Sequence, residues 1–332
     1  MASGIFRMSR DMIFSPFFSR IALITDLNNF DFLVSLVMEE GLLWSATCTG
    51  IKFKSFFVFV LCWLTHPCGQ LLPFIFAAKL VIIPSMEPSI GSRFEELSTI
   101  DSTNLYAMER IHAGLASHGD AFFAHSQVAG RGQRGKEWWA EPGQNISLSV
   151  VFETLKLASS ERFRLSATIA IGVLDWLGQL APADWRTKWP NDIYHNDRKA
   201  GGILIENLLK LGRWSHSVVG IGINMNQNRF PRHIPNPVSL YMVTRKVYSC
   251  AEEARRLCGF LDIRWRQLNN GGWPEILKGY NENLYGRGKI CRIKKDSAII
   301  PCLIQGVNAQ GQLIAGENGE WAFEFGEVSW VL

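Results

Sequence analysis

Lys199-Ala200-Gly201-Gly202-Ile203-Leu204-Ile205-Glu206-Asn207-Leu208, followed after a short break by Ser215-His216-Ser217-Val218-Val219-Gly220-Ile221-Gly222-Ile223-Asn224, decides the fold. Both runs are apolar enough for a sheet centre, and Leu211-Gly212-Arg213 between them carries a turn signal, so the pair reads as a β-hairpin. Upstream, Asn145 to Glu153 sets Ile146, Leu148 and Val150 in the strand period, and Ala121 to Ser126 reads as another strand. Helical signals alternate with these strands. Ser102 or Thr103 is a natural N-cap for a helix through Leu105, Met108 and Ile111, which Gly114 would end in a left-handed conformation. A longer helix runs from about Ser160 to Leu180. Further on, Pro231, Pro235 and Pro237 mark a surface loop, and Ser249 with Glu252 forms a capping box ahead of a helix through Leu257, Phe260, Leu261 and Leu268. From Arg93 onward, then, strands and helices alternate over short connections, which defines a mixed α/β domain.

Both flanks of this domain have a different texture. After Tyr280, short segments at Lys289 to Ile293, Ile299 to Gln305, Gln312 to Ala315 and Trp321 to Phe325 are separated by Gly and Asn turns, the pattern of a small β-barrel. Residues 1–85 are rich in Phe, Leu and Ser, poor in acidic residues, and show no clean helical or strand period. The apolar run from Phe56 to Ile83 is interrupted by Thr65, His66, Pro67, Gly69, Gln70, Pro73 and Lys79, which makes it a poor membrane span, and it comes too late for a secretory signal. The expectation is that Met86 is the true start and that residues 1–85 are an atypical hydrophobic leader outside the functional fold. The catalytic domain is then placed at 86–281 and the barrel at 283–332.

Composition excludes several functions. With 332 residues and 47% hydrophobic side chains, the chain can bury a substantial core in about two or three folding units. A net charge of +4 from 34 basic and 30 acidic residues is too balanced for a protein dominated by phosphate-backbone contacts, so no nucleic-acid partner is expected. Cys48, Cys62, Cys68, Cys250, Cys258, Cys291 and Cys302 include no Cys-x-x-Cys pair, and with His112, His118, His195 and His216 they form no zinc spacing. They read as reduced thiols of a cytoplasmic protein. Asn145-Ile146-Ser147 spells a glycosylation acceptor, which is incidental in such a strand.

The chemistry is carried by four segments. Gly130-Arg131-Gly132-Gln133-Arg134-Gly135 has the spelling of a dinucleotide turn, but Lys136-Glu137-Trp138-Trp139-Ala140-Glu141-Pro142-Gly143 follows where the required helix should begin. What remains is a glycine-rich loop with two arginines, suited to closing backbone N–H groups and guanidinium forks over a phosphate or carboxylate. Lys188-Trp189-Pro190-Asn191-Asp192 groups a cation, a turn, an amide and a carboxylate. Lys199 stands beside Gly201 and Gly202. Finally, alternate glycines in Gly220-Ile221-Gly222-Ile223-Asn224 leave one strand face bare, so that a flat ligand can approach the backbone.

Together with Ser102-Thr103-Asn104, Gln127 and Trp138, these segments resemble, in family order from about Arg93 to the C-terminus, the biotin protein ligases of the biotin/lipoate protein ligase family. The form resembled is the short one without a DNA-binding domain, because residues 1–92 offer no basic amphipathic helix pair. The resemblance implies a mixed central sheet flanked by helices, a class II aminoacyl-tRNA synthetase-like core, and a small C-terminal SH3-like barrel. It also implies that Ser102, Thr103, Asn104 and Gln127 line a biotin pocket, although Ser102 and Thr103 equally suit helix capping. Gly130, Gly132, Gln133, Lys188, Asn191, Gly201, Gly220 and Gly222 belong to the implied ligand site. Arg131 and Lys199 would bracket the biotin carboxylate and the ATP α-phosphate, two anions that repel unless fixed cations stand between them. Many family members carry Arg where this chain has Gln133, so retention of the adenylate would rest more on Arg131 and backbone donors. Trp138 is a candidate lid for the adenine ring or else a core aromatic. Asp192 could hold Mg²⁺ through water or accept the proton of the incoming lysine, and Asn224 could contact nucleotide or metal or merely end its strand.

The implied reaction attaches biotin to AMP with release of pyrophosphate, then transfers it to a lysine of a biotin carboxyl carrier protein. Lipoate ligation and a membrane-tethered ligase are the alternatives. A homodimer is left open, and no membrane is expected for the catalytic part.

Overall fold

The computed structural model describes residues 89–155, 157–182, 184–210 and 212–331, together with the backbone of five strands nearer the N-terminus. The chain divides into two units, Met1–Ser85 and Met86–Leu332. In the first, β1 (Phe18–Asp26), β2 (Asp31–Met38) and β3 (Leu43–Cys48) form an antiparallel sheet in that order, and β4 (Phe57–Thr65) pairs with β5 (Leu71–Lys79). This departs from the sequence reading, which found no strand period here. Strand pairing needs extended backbone, which Val, Ile and Phe favour even without alternation. Met86, the expected start, lies outside the described residues. No described helix is long and apolar enough to cross a membrane.

The second unit runs β6 (Phe94–Ile100), α1 (Thr103–His112), β7 (Ala121–Gln127), β8 (Asn145–Glu153), α2 (Arg162–Leu180), β9 (Trp185–Lys188), β10 (Asp192–His195), β11 (Arg198–Lys210) and β12 (Arg213–Asn224). Helices α3 (Leu240–Thr244), α4 (Cys250–Asn269) and α5 (Trp273–Glu282) follow. Seven strands form one sheet in the order β6-β7-β8-β12-β11-β10-β9, with β6 and β7 parallel and the other pairs antiparallel. The expected hairpin is present: Lys210 pairs with Arg213, and Gly212 takes the positive φ of 73° that its turn requires. Strands β6, β9 and β10 carry too few residues in a clear period to have been found from sequence.

Alternation along the central strands separates two faces. Ile146, Leu148, Val150 and Phe152 of β8 and Val219, Ile221 and Ile223 of β12 enter the large core, with Ile169, Val173 and Trp176 of α2 and Leu257 and Leu261 of α4. Val151 and Val218 turn the other way and pack with Phe122 and with Ala107 of α1 in a smaller cluster. Strand β8 is therefore buried on both faces, as a central strand between helical layers must be.

Helix ends correct part of the reading. Gly114 is left-handed at φ 69°, as expected. Ser249 does sit at the N-cap of α4, but its side chain makes no capping hydrogen bond. Glu252 lies in solvent, where water serves the free N–H groups, so the capping box does not close. Neighbouring Glu253 turns inward instead, accepting from the Trp176 indole at 3.0 Å and from Arg256 at 2.8 Å.

C-terminal strands β13 (Ile290–Lys295), β14 (Ala298–Val307), β15 (Leu313–Ala315), β16 (Trp321–Phe323) and β17 (Val328–Val331) form an antiparallel sheet in the order β16-β15-β14-β13-β17. It is tied to the larger sheet through the Lys188-to-Asp192 segment. The Trp189 indole donates to Gly311 O at 2.9 Å, and the Trp330 indole donates to Trp189 O at 2.8 Å. Cys250, Cys258, Cys291 and Cys302 are free thiols, as expected; Cys68 lies outside the described residues.

Candidate functional site

The sheet face toward α1 is hollowed by its own register. Gly202 of β11, Gly222 of β12 and Ser147 of β8 lie side by side across three strands, and Leu204, Gly220 and Ser149 form the next row. Small side chains in adjacent positions remove the layer that would otherwise fill this face. A Cβ on Gly220 would stand 2.4 Å from Asn104 Oδ1, and one on Gly222 would stand 2.4 Å from the Trp138 ring. The result is a cavity on this face, open to solvent at its mouth. Ser102, Thr103, Asn104, Gln127, Arg131, Gly132, Gln133, Trp138, Asn191, Lys199, Gly220 and Gly222 all line it, so residues from segments far apart in sequence converge as expected.

At the α1 end the polar groups form one network. Gln127 Oε1 accepts from the Thr103 backbone N–H at 2.9 Å, which satisfies a free donor of the helix start. Ser102 occupies the N-cap position without capping through its side chain. Ser149, fully buried, lies 2.7 Å from Thr103 Oγ1 and 2.6 Å from Asn104 Oδ1, and Asn104 Nδ2 donates to Glu206 at 2.7 Å.

Over the mouth, the glycine-rich segment is a tight hairpin. Trp138 N–H donates to Gly130 O at 2.9 Å and Gly132 N–H to Lys136 O at 2.6 Å, and the loop holds only a single 3-10 turn at Gln133–Gly135, so no α-helix begins here and the dinucleotide reading fails. A Cβ on Gly130 would lie 2.4 Å from Trp138 O. Arg131 projects from the exposed side of this hairpin and reaches the cavity. Arg134, at the tip with φ 56°, points elsewhere: it donates to Gly326 O at 2.8 Å and covers the Phe325 ring of the C-terminal sheet. Trp138 is half-buried against Gly222, and its indole N–H has no partner among the described residues.

Lys199 reaches the cavity because β11 carries an irregularity. Gly201 faces Ile193 and Lys199 faces Tyr194, so Ala200 is the extra residue of a bulge and falls into the core. Such a bulge re-aims the side chains beside it. The Lys199 amine forms a 2.6 Å ion pair with Asp192, a partner distant in sequence that reading the Lys188-to-Asp192 segment alone could not supply.

Other candidates sit outside the cavity lining. Lys188 is buried, with its amine 3.2 Å from the Tyr194 hydroxyl and over the Tyr194 and Trp330 rings. Burial lowers its pKa to about 8, against an opposing pull from Asp192. Asn224 donates to Val238 O at 3.1 Å and Lys199 O at 3.4 Å, the strand-ending role among its two readings. The missing side chain of Gly201 faces Ile223 and Gly222 O, so this glycine serves strand packing, while its neighbour Gly202 lines the cavity. Asn191 keeps its place at the site by donating to Ile203 O at 3.0 Å. Sequence reading missed Ser147, Ser149 and Glu206; for the two serines the signal was available in β8, where they alternate with Ile146, Leu148 and Val150.

Comparison with known proteins identifies the family. The Biotin/lipoate A/B protein ligase family model matches residues 97–224. The chain belongs to this family, since it is also 36% identical over 243 residues to the biotin--[acetyl-CoA-carboxylase] ligase of Paracoccus denitrificans, covering 70% of this chain and 98% of that one. It is 40% identical over 146 residues to the bifunctional ligase/repressor BirA of Escherichia coli strain K12, a match spanning 44% of each, so less than half the length of that relative is covered. Among solved structures, the biotin protein ligase from Aquifex aeolicus in complex with biotin and ATP shares the fold, with a TM-score of 0.62 and 23% identity over 72% of this chain and 98% of that one.

Proposed function

We propose that the chain is a biotin protein ligase that joins biotin to AMP and then transfers it to a lysine of a carboxylase carrier protein. The observation carrying this reading is that Arg131 and Lys199, from segments far apart in sequence, line the same cavity as Thr103, Asn104 and Gln127. A hydrogen-bonding end fit for a polar head group thus lies opposite two cations fit for anions. Names of relatives support the substrates: the Paracoccus protein is a biotin--[acetyl-CoA-carboxylase] ligase and the Aquifex structure holds biotin and ATP. The seven-stranded sheet with its helices corresponds, in this reading, to a class II aminoacyl-tRNA synthetase-like core, and the C-terminal sheet to an SH3-like barrel.

In the first step the biotin carboxylate attacks the ATP α-phosphate and pyrophosphate leaves. Arg131 and Lys199 screen the two anions, and fixed charges in a partly dry site do so without the cost of reorganising water. Lys199 exchanges its Asp192 partner for the substrate anions as they enter. The hairpin from Gly130 to Trp138 shields the adenylate, Gln133 offering an amide in place of a further cation, while Trp138 stacks on adenine. Mg²⁺ fits this site only as an ion arriving with the nucleotide. No group of three or more His, Cys, Asp or Glu side chains that could hold a metal exists among the described residues, and Mg²⁺ commonly takes one or two carboxylates with phosphate and water. Asp192 would be that carboxylate, the ion supplying charge neutralisation. In the second step a carrier lysine, mostly protonated at its usual pKa of about 10.4, loses its proton, attacks the biotinyl carbonyl of the adenylate and displaces AMP; Asp192, paired with the cavity-lining Lys199 at 2.6 Å, is the proposed proton acceptor.

Transfer of labelled biotin to a purified carrier domain tests the proposal, with the wild type active and Arg131→Ala reduced about a hundredfold. Pyrophosphate exchange that depends on lipoate rather than biotin would overturn the substrate.

A further inference from the structure

We propose that Glu206 and Ser149 are positioning residues that fix the hydrogen-bond polarity of the pocket, so that it presents an acceptor at Thr103 and a donor at Gln127 to a cyclic urea. This rests on the biotin reading above and explains how that head group would be told from a donor-only analogue.

Polarity follows from what each group can do. A carboxylate only accepts, so the Asn104 atom 2.7 Å from Glu206 must be its NH₂. The Asn104 carbonyl oxygen therefore faces Ser149 at 2.6 Å, and there it can only accept. This contact claims the single hydroxyl hydrogen of Ser149. Ser149 Oγ, 2.7 Å from Thr103 Oγ1, must in turn accept from Thr103. The competing arrangement, Thr103 donating to Gln127 Oε1 at 3.2 Å, would leave the 2.7 Å Ser149–Thr103 contact without a hydrogen between two oxygens, so distance decides against it. Thr103 is left with lone pairs for a ligand N–H. Gln127 is fixed separately: the Thr103 backbone N–H only donates, so Oε1 is engaged and Nε2 is the group free to donate.

A urea offers one carbonyl acceptor between N–H donors, the complement of this pair. Without the Glu206 charge only the longer 3.4 Å contact to Leu204 O holds the Asn104 amide in this sense, so the amide can turn over and the chain of hydrogens from Thr103 can run in reverse. Glu206 also lines the outer cavity beside the loop, so its carboxylate reaches the network from the sheet side of β11 without needing to touch the ligand.

Isothermal titration of the full chain with biotin and with 2-iminobiotin, whose protonated guanidinium replaces the carbonyl acceptor by a donor, tests this. In Glu206→Leu the biotin Kd should rise about tenfold or more while that of iminobiotin changes less than about twofold, so discrimination collapses. Glu206→Gln, which can still accept but no longer forbids reversal, should fall between, and it carries the test if Glu206→Leu fails to fold. Equal changes for both ligands, or none, would overturn the polarity assignment alone. Wild-type protein that takes up no biotin would overturn the function reading as well.

Discussion

One sheet, read on its two faces, gives two different kinds of surface from the same strands. Toward α2 and α4, β8 and β12 present Ile146, Leu148, Val150, Phe152, Val219, Ile221 and Ile223, all buried in the large core. Toward α1 the intervening positions are Ser147, Ser149, Gly220 and Gly222, which leave a cavity. The first face should govern stability and the second ligand uptake, because a filled layer contributes transfer and packing energy while a hollowed one contributes room and oriented polar groups. The strand period that builds the core also excavates the site.

The largest effect expected is on the filled face. Phe152 is fully buried and packs edge-on against Trp265 and His118. Phe152→Ala should cost about 4 kcal/mol by urea denaturation, while the folded fraction keeps its biotin affinity within about twofold. A loss of affinity larger than the loss of folded protein would dissolve the division between faces.

On the hollowed face the order reverses. Lys199→Met should reduce biotin-dependent pyrophosphate exchange about a hundredfold, roughly 3 kcal/mol of transition-state stabilisation, and shift the thermal midpoint little. A midpoint falling as far as in Phe152→Ala would show that the Lys199–Asp192 pair is chiefly structural. Trp138→Ala sharpens the same face: ATP binding measured by calorimetry should weaken about tenfold through lost stacking, with biotin binding alone less affected. Equal weakening of both ligands would return Trp138 to the role of a wall over Gly222.

Legibility followed the same division. The hairpin, β8 and the long helix were readable because their apolar residues repeat in the period of the element that buries them. Strands β9 and β10, with four residues each, were not, since so short a segment has no period to show. The site residues stood out as a set because Gly and Lys interrupt otherwise apolar strands. Lys199 and Asp192 could be named singly, yet not as a pair, because the bulge at Ala200 that joins them is a tertiary feature. Ser149 and Glu206 were passed over because, one at a time, a serine in a strand and a half-exposed glutamate carry no signal; only the register brings them to Asn104. Lys188 and Asn224 enter the ligand site through the family resemblance, whereas their side chains turn toward Trp330 and Val238.

Lys188 gives the smallest effect and the finest separation between faces. It belongs to the same five-residue segment as Asp192, yet its buried amine lies over Tyr194 and Trp330, where burial lowers its pKa from 10.5 to about 8. A lysine lowered on folding binds its proton more tightly in the unfolded chain, so folding carries the full cost of the buried charge below about pH 8, and that cost fades as the pH rises toward 10.5. Lys188→Met removes this dependence. Urea denaturation at pH 7 and pH 10 should therefore show the stability difference moving in favour of the wild type by about 1–2 kcal/mol at the higher pH, a value below the ideal one because ring contacts offset part of the desolvation. Tyr194, whose pKa burial raises, itself loses stability as the pH approaches the ordinary tyrosine pKa of about 10, but it is present in both proteins and its contribution cancels in the difference. A difference that stays constant between the two pH values would mean that the amine is solvated in the folded chain, and Lys188 would then return to the list of groups able to reach the nucleotide.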